Sequence, residues 1–440
     1  MTPTLDTIRN CLDGAIPATI ATCAPDGIPN VAYLSHVHYI DNQHVALSFQ
    51  FFSKTRENVL ANPYAAVQVV DPDTAAHYRL ALHYLRTEAE GPLFENMKAK
   101  LAGIASHTGM SKVFKLRGSD VYAVLAIEKV PGVTLPPPLR RNHLAALRAA
   151  SQRIARCADL SSLLDETLLT LEQQFDIHHM MLLFLNESGD RLYTVASRGY
   201  EHSGVGSEIR LGEGIIGVAA RERTPIRITH MANEYLYSQA ARHGVAPCDL
   251  EKEIPLPGIP QSRSQLAVPV QLHGQLRGVL YVESPQDQRF SYEDEDALVT
   301  IADHLALTIQ FCGQAAENDG GGPAAAQADA VSGKTAIIRH YAADDSVFIG
   351  GDYLIKGVAG AILWKLLHEH TQQGRTEFTN RELRLDPTLH LPDIGENLEA
   401  RLILLQKRLV ERCPFLRLEK TGRGRFRLRI TQPVQLAEAT

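Results

Sequence analysis

The chain has 440 residues, 45% of them apolar and 21% charged, which is the balance of a globular protein long enough for two to four domains. Its net charge of −6 is too small and of the wrong sign for a uniformly basic binder, so any affinity for nucleic acid must come from local asymmetry. No apolar stretch approaches the length that crosses a membrane and no leader-like start is present. The six cysteines (Cys11, Cys23, Cys157, Cys248, Cys312, Cys413) contain no CxxC pair, so zinc ribbons and a disulfide framework are not expected, and a reducing cytoplasm is.

Residues 1–130 read mostly as strand. Residues 17–22 and 30–40 form a hairpin pattern around Asp26-Gly27, and 44–52 follows as a third strand. Residues 53–62 form a short helix that Ser53 can cap; 65–71 and 78–91 are strands, 93–107 a helix, and 120–130 a closing strand. The fold expected is a small antiparallel barrel with an inserted helix. Over about 15–130 this arrangement resembles the pyridoxamine-phosphate-oxidase-like split barrel, most clearly at Ser48–Asn58, SFQFFSKTREN. The resemblance implies FMN, bound between two subunits, with Ser53, Lys54 and Thr55 on the phosphate and Ser48 and Gln50 near the isoalloxazine. The physics agrees: a helix start offers free N–H groups and partial positive charge, and Lys54 and Arg56 add full charges. The alternatives are a barrel without flavin, in which Ser53 only caps and Lys54 is a surface charge, and a haem site at His36 and His38, which alternate on one strand.

Pro131–Pro138, PGVTLPPP, reads as a stiff linker. Residues 139–312 then give an amphipathic run from Leu144, a hairpin bent near Gly189, a Gly-marked helix entry at GEGIIGVAA, a second hairpin bent at Gly274, and a helix starting near Ser291. GEGIIGVAA, AVPV, GVLYVES and FSYEDEDALVTIADHLALTI together resemble a GAF domain, implying an α/β sandwich with a small-molecule pocket under a variable segment. That segment, about His230–Ser264, is long and carries Tyr235, Tyr237, His243 and Cys248. Cys248 alone is weak support for a bilin, and the ligand stays open. Apolar stripes at Leu144, Leu147, Ile154, Leu298, Ile301 and Leu305 on the first and last helices mark a dimerisation surface.

Residues 313–334 are small, polar and Gly/Ala-rich, hence a flexible tether. Residues 335–431 hold 16 Lys/Arg against 12 Asp/Glu, a net of +4, leaving about −10 on the rest. In 397–430 a helix buries Leu398, Leu402, Leu405 and Leu409, while Arg401, Gln406, Lys407, Arg408 and Arg412 mark its other faces. Leu416 and Leu418, then Phe426, Leu428 and Ile430, alternate with charges around a Gly422–Gly424 tip bearing Arg423 and Arg425. A basic helix beside a basic hairpin suits DNA, the helix in a major groove and the hairpin on phosphates. Over 335–432 the order resembles the winged-helix effector domain of bacterial response regulators, with looser upstream matches at Gly357–His370 and Thr379–Leu385.

The expected fold class is multidomain α+β: split β-barrel (1–130), GAF sandwich (139–312), linker (313–334) and winged helix-turn-helix (335–432). The expected function is a cytoplasmic, homodimeric one-component regulator that senses a small effector or redox state and binds DNA. The alternative is an FMN-dependent oxidoreductase with regulatory appendages. No nucleophile–base pair, metal cluster or P-loop is evident, so no catalytic residue is assigned.

Overall fold

A computed structural model describes residues 3–12, 16–34, 37–49, 54–91, 93–98, 116–136, 143–229, 254–317, 335–389, 396–422 and 424–439. Among them no helix is long and apolar enough to cross a membrane.

The first unit is one antiparallel sheet. Its strands are β1 (Ala18–Cys23), β2 (Pro29–Leu34), β3 (Val37–Tyr39), β4 (His44–Phe49), β5 (Tyr64–Val70), β6 (His77–Glu88) and β7 (Gly118–Val130), in the order β2-β1-β5-β6-β7-β4-β3. The hairpin at Asp26-Gly27 forms as expected: Gly27 has φ +87°, and the Asp26 carboxylate accepts from the Ile28 amide at 3.1 Å. The single strand expected over 30–40 is two. β2 pairs β1 and β3 pairs β4, at opposite edges of the sheet. Only three Cα steps separate Leu34 from Val37, a reach of at most about 11 Å, so the sheet must curl until its edges nearly meet. Val45, Leu47, Val67, Val69, Leu80 and Tyr122 fill the inside of the curl. The turn at Asp6–Leu12, which the sequence pattern did not announce, plugs it with Ile8, Cys11 and Leu12. Helix α1 (Lys54–Ala61) lies on β1 and β2.

The middle unit has a six-stranded sheet of β8 (His179–Leu185), β9 (Arg191–Arg198), β10 (Glu208–Arg210), β11 (Ile226–Ile228), β12 (Ser264–Leu272) and β13 (Gln275–Ser284), ordered β10-β9-β8-β13-β12-β11. Helices α2 (His143–Ile154), α3 (Leu160–Phe175) and α5 (Tyr292–Glu317) pack on one face, and α4 (Gly214–Glu222) covers the other. Gly278 is required inside β13, because a Cβ there would sit 2.1 Å from the Leu183 carbonyl oxygen. The stripe read as a dimer surface is mostly this unit's own core. Ile154, Leu298, Ile301 and Leu305 are buried against the sheet, Leu147 packs beside them, and only Leu144 stands out at 79% exposure. Three helices layered on one another need wide apolar faces of their own, so these positions do not by themselves mark an interface.

The last unit opens with strands the sequence reading did not resolve: β14 (Ala336–Tyr341), β15 (Ser346–Ile349) and β16 (Asp352–Ile355). They are joined by β20 (Val434–Ala439), which runs parallel to β14, so the unit continues past the expected end at 432. Between them come α6 (Gly357–Gln373), β17 (Glu377–Thr379), α7 (Asn380–Leu385), α8 (Glu396–Arg412), β18 (Leu416–Gly422) and β19 (Arg425–Ile430). β17, β19 and β18 form a three-stranded sheet. Thr379 caps α7 in a reciprocal box with Glu382, the short second helix expected there.

Candidate functional site

The expected phosphate cradle lies where β4 gives way to α1. Lys54, first residue of α1, is exposed, with Glu57 3.6 Å away. The Thr55 hydroxyl accepts a hydrogen bond from Asn30 at 2.9 Å. Ser48 is half-buried on β4 opposite Ser119 of β7, whose hydroxyl is buried and has no partner among the described residues. Gln50 and Ser53 fall outside the described residues, as does His36 of the haem alternative. Arg56, expected to add charge to the cradle, turns inward. Its guanidinium binds the Asp120 carboxylate and the Thr87 hydroxyl, Thr87 in turn bonds Asp120, and Tyr84 bonds Thr87 at 2.7 Å. This buried network ties α1 to β6 and β7. Asp120, at the start of an apolar run in β7, was its only sequence signal.

The basic helix α8 presents only part of its expected charge to solvent. Leu398, Leu405 and Leu409 are buried in their own unit with Leu402 packed beside them, as the spacing predicts. Arg401 and Arg408, at 9% and 4% exposure, are buried too. Arg408 donates twice to the Leu354 carbonyl at 3.1 Å, fastening α8 to β16 of its own unit. Arg401 points across to the middle unit. It grips both Glu187 oxygens, the shortest contact being 2.8 Å, and its guanidinium lies 3.7 Å above the Tyr193 ring. Burial by itself would pull the Arg401 pKa down; Tyr193 and Glu187 push it up. The same burial drives the Tyr193 phenol up to about 12. Lys407 bonds Asp165 at 2.9 Å. Gln406 and Arg412 are exposed, Arg425 borders a cleft beside Gln406 and Lys420, and Arg423 lies outside the described residues.

In the middle unit, the face of the sheet under α4 holds a buried acid, Glu283. Burial raises its pKa, and hydrogen bonds from Ser262, the Ile259 amide and Tyr281 only partly offset this. Cys248 and most of the variable segment lie outside the described residues. No cluster of His, Cys, Asp and Glu among the described residues could hold a metal ion.

Two family models match the chain. That of pyridoxamine 5'-phosphate oxidase covers residues 4–125, and that of the GAF domain covers residues 159–309. The chain therefore carries a pyridoxamine-phosphate-oxidase-like N-terminal domain followed by a GAF domain; neither match extends past residue 309. No curated protein matches the chain. Among solved structures, it is similar to the GAF domain of an Acinetobacter phosphoenolpyruvate-protein phosphotransferase, at 24% identity and TM-score 0.32, over 41% of this chain and 99% of that one. It is also similar to an FMN-binding protein from Syntrophomonas wolfei, at 19% identity and TM-score 0.24, over 29% of this chain and 91% of that one. A third is the free methionine-R-sulfoxide reductase of Neisseria meningitidis in complex with its substrate, at 18% identity and TM-score 0.32, over 40% and 98%. Scores of this size carry no argument about function.

Proposed function

We propose that the chain is a one-component regulator whose GAF domain senses a small effector and whose last unit is a winged-helix DNA reader. The observation that carries the reading is the order α6–β17–α7–α8–β18–β19: three helices, the last long and basic, then a two-stranded wing closed into a sheet by the short β17. The Arg-rich tip and the net charge of +4 over 335–431 support it further. The test is binding of duplex DNA by the full chain at low salt, in wild type and in a chain carrying Glu187→Lys and Asp165→Lys, which frees Arg401 and Lys407. Arg412→Ala and Arg425→Ala should weaken binding alike on all sequences and each lower the salt slope by about 1, as phosphate contacts do. No binding by either chain at micromolar protein sinks the DNA reading.

The barrel is a candidate FMN site. Its donor set fits a flavin phosphate: the Lys54 ammonium and the Thr55 hydroxyl at the start of α1, with Ser48 on the adjoining β4 left for the isoalloxazine. Bound there, the flavin would supply a redox-active group. Lys54 would pair the phosphate, Thr55 would donate to it, and Arg56, held by Asp120, would shape the cradle from behind rather than touch the ligand. Lys54→Ala should weaken FMN more than tenfold, since charge-assisted hydrogen bonds contribute about 1.5–3 kcal/mol each, and leave riboflavin nearly unchanged. Flavin fluorescence quenching reads both, and equal affinity for the two ligands rules the site out.

A further inference from the structure

Four cations of the last unit, two of them on α8 and one on the wing, are already engaged by acids of the GAF domain. Arg401 holds Glu187 in the β8–β9 turn, Lys407 holds Asp165 on α3, and Lys420 of the wing holds Asp159, the N-cap of α3, at 3.1 Å. Lys356, just before α6, adds Glu208 of β10 at 3.4 Å. Every pair joins a base of the last unit to an acid of the GAF domain. Apolar contact closes the space between them: Leu404 of α8 lies over Gly206, and the two units share one continuous buried core. α8 thus lies between its own unit and α3, α5 and β9 of the sensor.

The geometry points to an autoinhibitory contact, in which a carboxylate-lined face of the GAF domain occupies the basic side chains of α8 and the wing in place of DNA phosphates. The two uses of Arg401 exclude each other, because a side chain sunk against Glu187 and Tyr193 cannot also reach a groove, and Lys407 and Lys420 would have to leave Asp165 and Asp159 to reach phosphates. DNA and the GAF face then compete for one surface, and the apparent DNA affinity is the intrinsic one multiplied by the undocked fraction. By linkage, whatever ligand favours the undocked form raises DNA affinity, and DNA favours that ligand by the same factor. This inference rests on the DNA-binding reading above.

The experiment compares three full-length chains: wild type, Glu187→Lys with Asp165→Lys, and a control of equal net charge, Glu201→Lys with Asp303→Lys, both exposed residues that form none of these pairs. Small-angle scattering reports docking and fluorescence anisotropy with a labelled duplex reports binding. The docking variant should have a larger radius of gyration than the other two and bind DNA at least tenfold more tightly than the control. The charge-removing pair Glu187→Gln with Asp165→Asn should move both readings in the same direction by less, which guards against a reversal that misfolds. A variant that expands but binds no better than the control, while the control binds, overturns the competition and leaves DNA binding standing. A variant that stays compact also overturns it, since these charges would then not hold the unit. Expansion with no DNA binding by any chain defeats the DNA reading itself.

Discussion

Arg401 keeps its charge in a place where charge is expensive. A buried ion pair roughly breaks even against its desolvation, and the face of Tyr193 adds a cation–π contribution of about 2 kcal/mol when water is excluded. Removing only the arginine is costly, because Glu187 and the ring lose their partner together. Arg401→Ala should therefore cost about 2–4 kcal/mol, below the full penalty for breaking a buried pair because Glu187 still reaches water, whereas Arg401→Met, which keeps the stem, should cost less. Denaturant unfolding measures both. Glu283 gives a pH signature of opposite kind. Its pKa is raised in the folded protein, so its contribution is intact below the ordinary carboxylate value and lost as pH rises through the raised one. Glu283→Gln should raise the melting temperature at neutral pH and lose that advantage in acid; an advantage that persists in acid would remove the protonation argument. In the barrel, Asp120→Ala strands Arg56 in a largely dry site and should cost about 3–5 kcal/mol, read by thermal unfolding of the full chain.

At the scale of elements, local chemistry was legible and pairing was not. Thr379–Leu385, matched only loosely, is a short helix capped by Thr379, and Thr379→Ala should cost about 1 kcal/mol of stability. Gly274 and Asp26-Gly27 marked hairpins correctly, because positive φ is a property of the residue itself. The 30–40 stretch could not reveal its break, since two strands at opposite edges of a curled sheet and one continuous strand share the same alternation. The role of Arg401 was hidden for the same kind of reason. An arginine opposite a leucine stripe reads as solvent-facing until another domain arrives over it. Asp386, after α7, is an element-level clamp: Lys365 of α6 and then Thr388 hold its carboxyl down at about 2. Its lowered pKa contributes stability that is present above the ordinary value of 3.8 and fades as pH falls toward about 2. Lys365→Met should flatten the acid limb of the stability curve over that window.

Across the whole molecule, polar anchors join each unit to the next, and between the GAF domain and the last unit a shared apolar core adds to them. The N-terminal turn reaches the GAF domain through Arg9, which bonds Asp296 at 3.0 Å and lies between the rings of Tyr39 and Tyr292. Asn96 of the same unit bonds Thr224 at 2.8 Å. The order of the barrel and the GAF domain was readable in the sequence. Their docking was not, because a charge that pairs across a domain boundary carries no mark in its own neighbourhood of sequence. Nor was the strand at the far end, β20.

That strand decides where the last unit can be cut. β20 runs alongside β14 from Ala336↔Val434 to Tyr341↔Ala439 and shields it from being an edge. A chain shortened to residue 432, the limit that the resemblance drew, would strip this cover and leave β14 an open edge, with the N–H and C=O groups of its alternate residues bare. Such a fragment would be a seed for strand-by-strand association with its own copies, and its turbidity on standing would be a fault of the cut rather than a property of the protein.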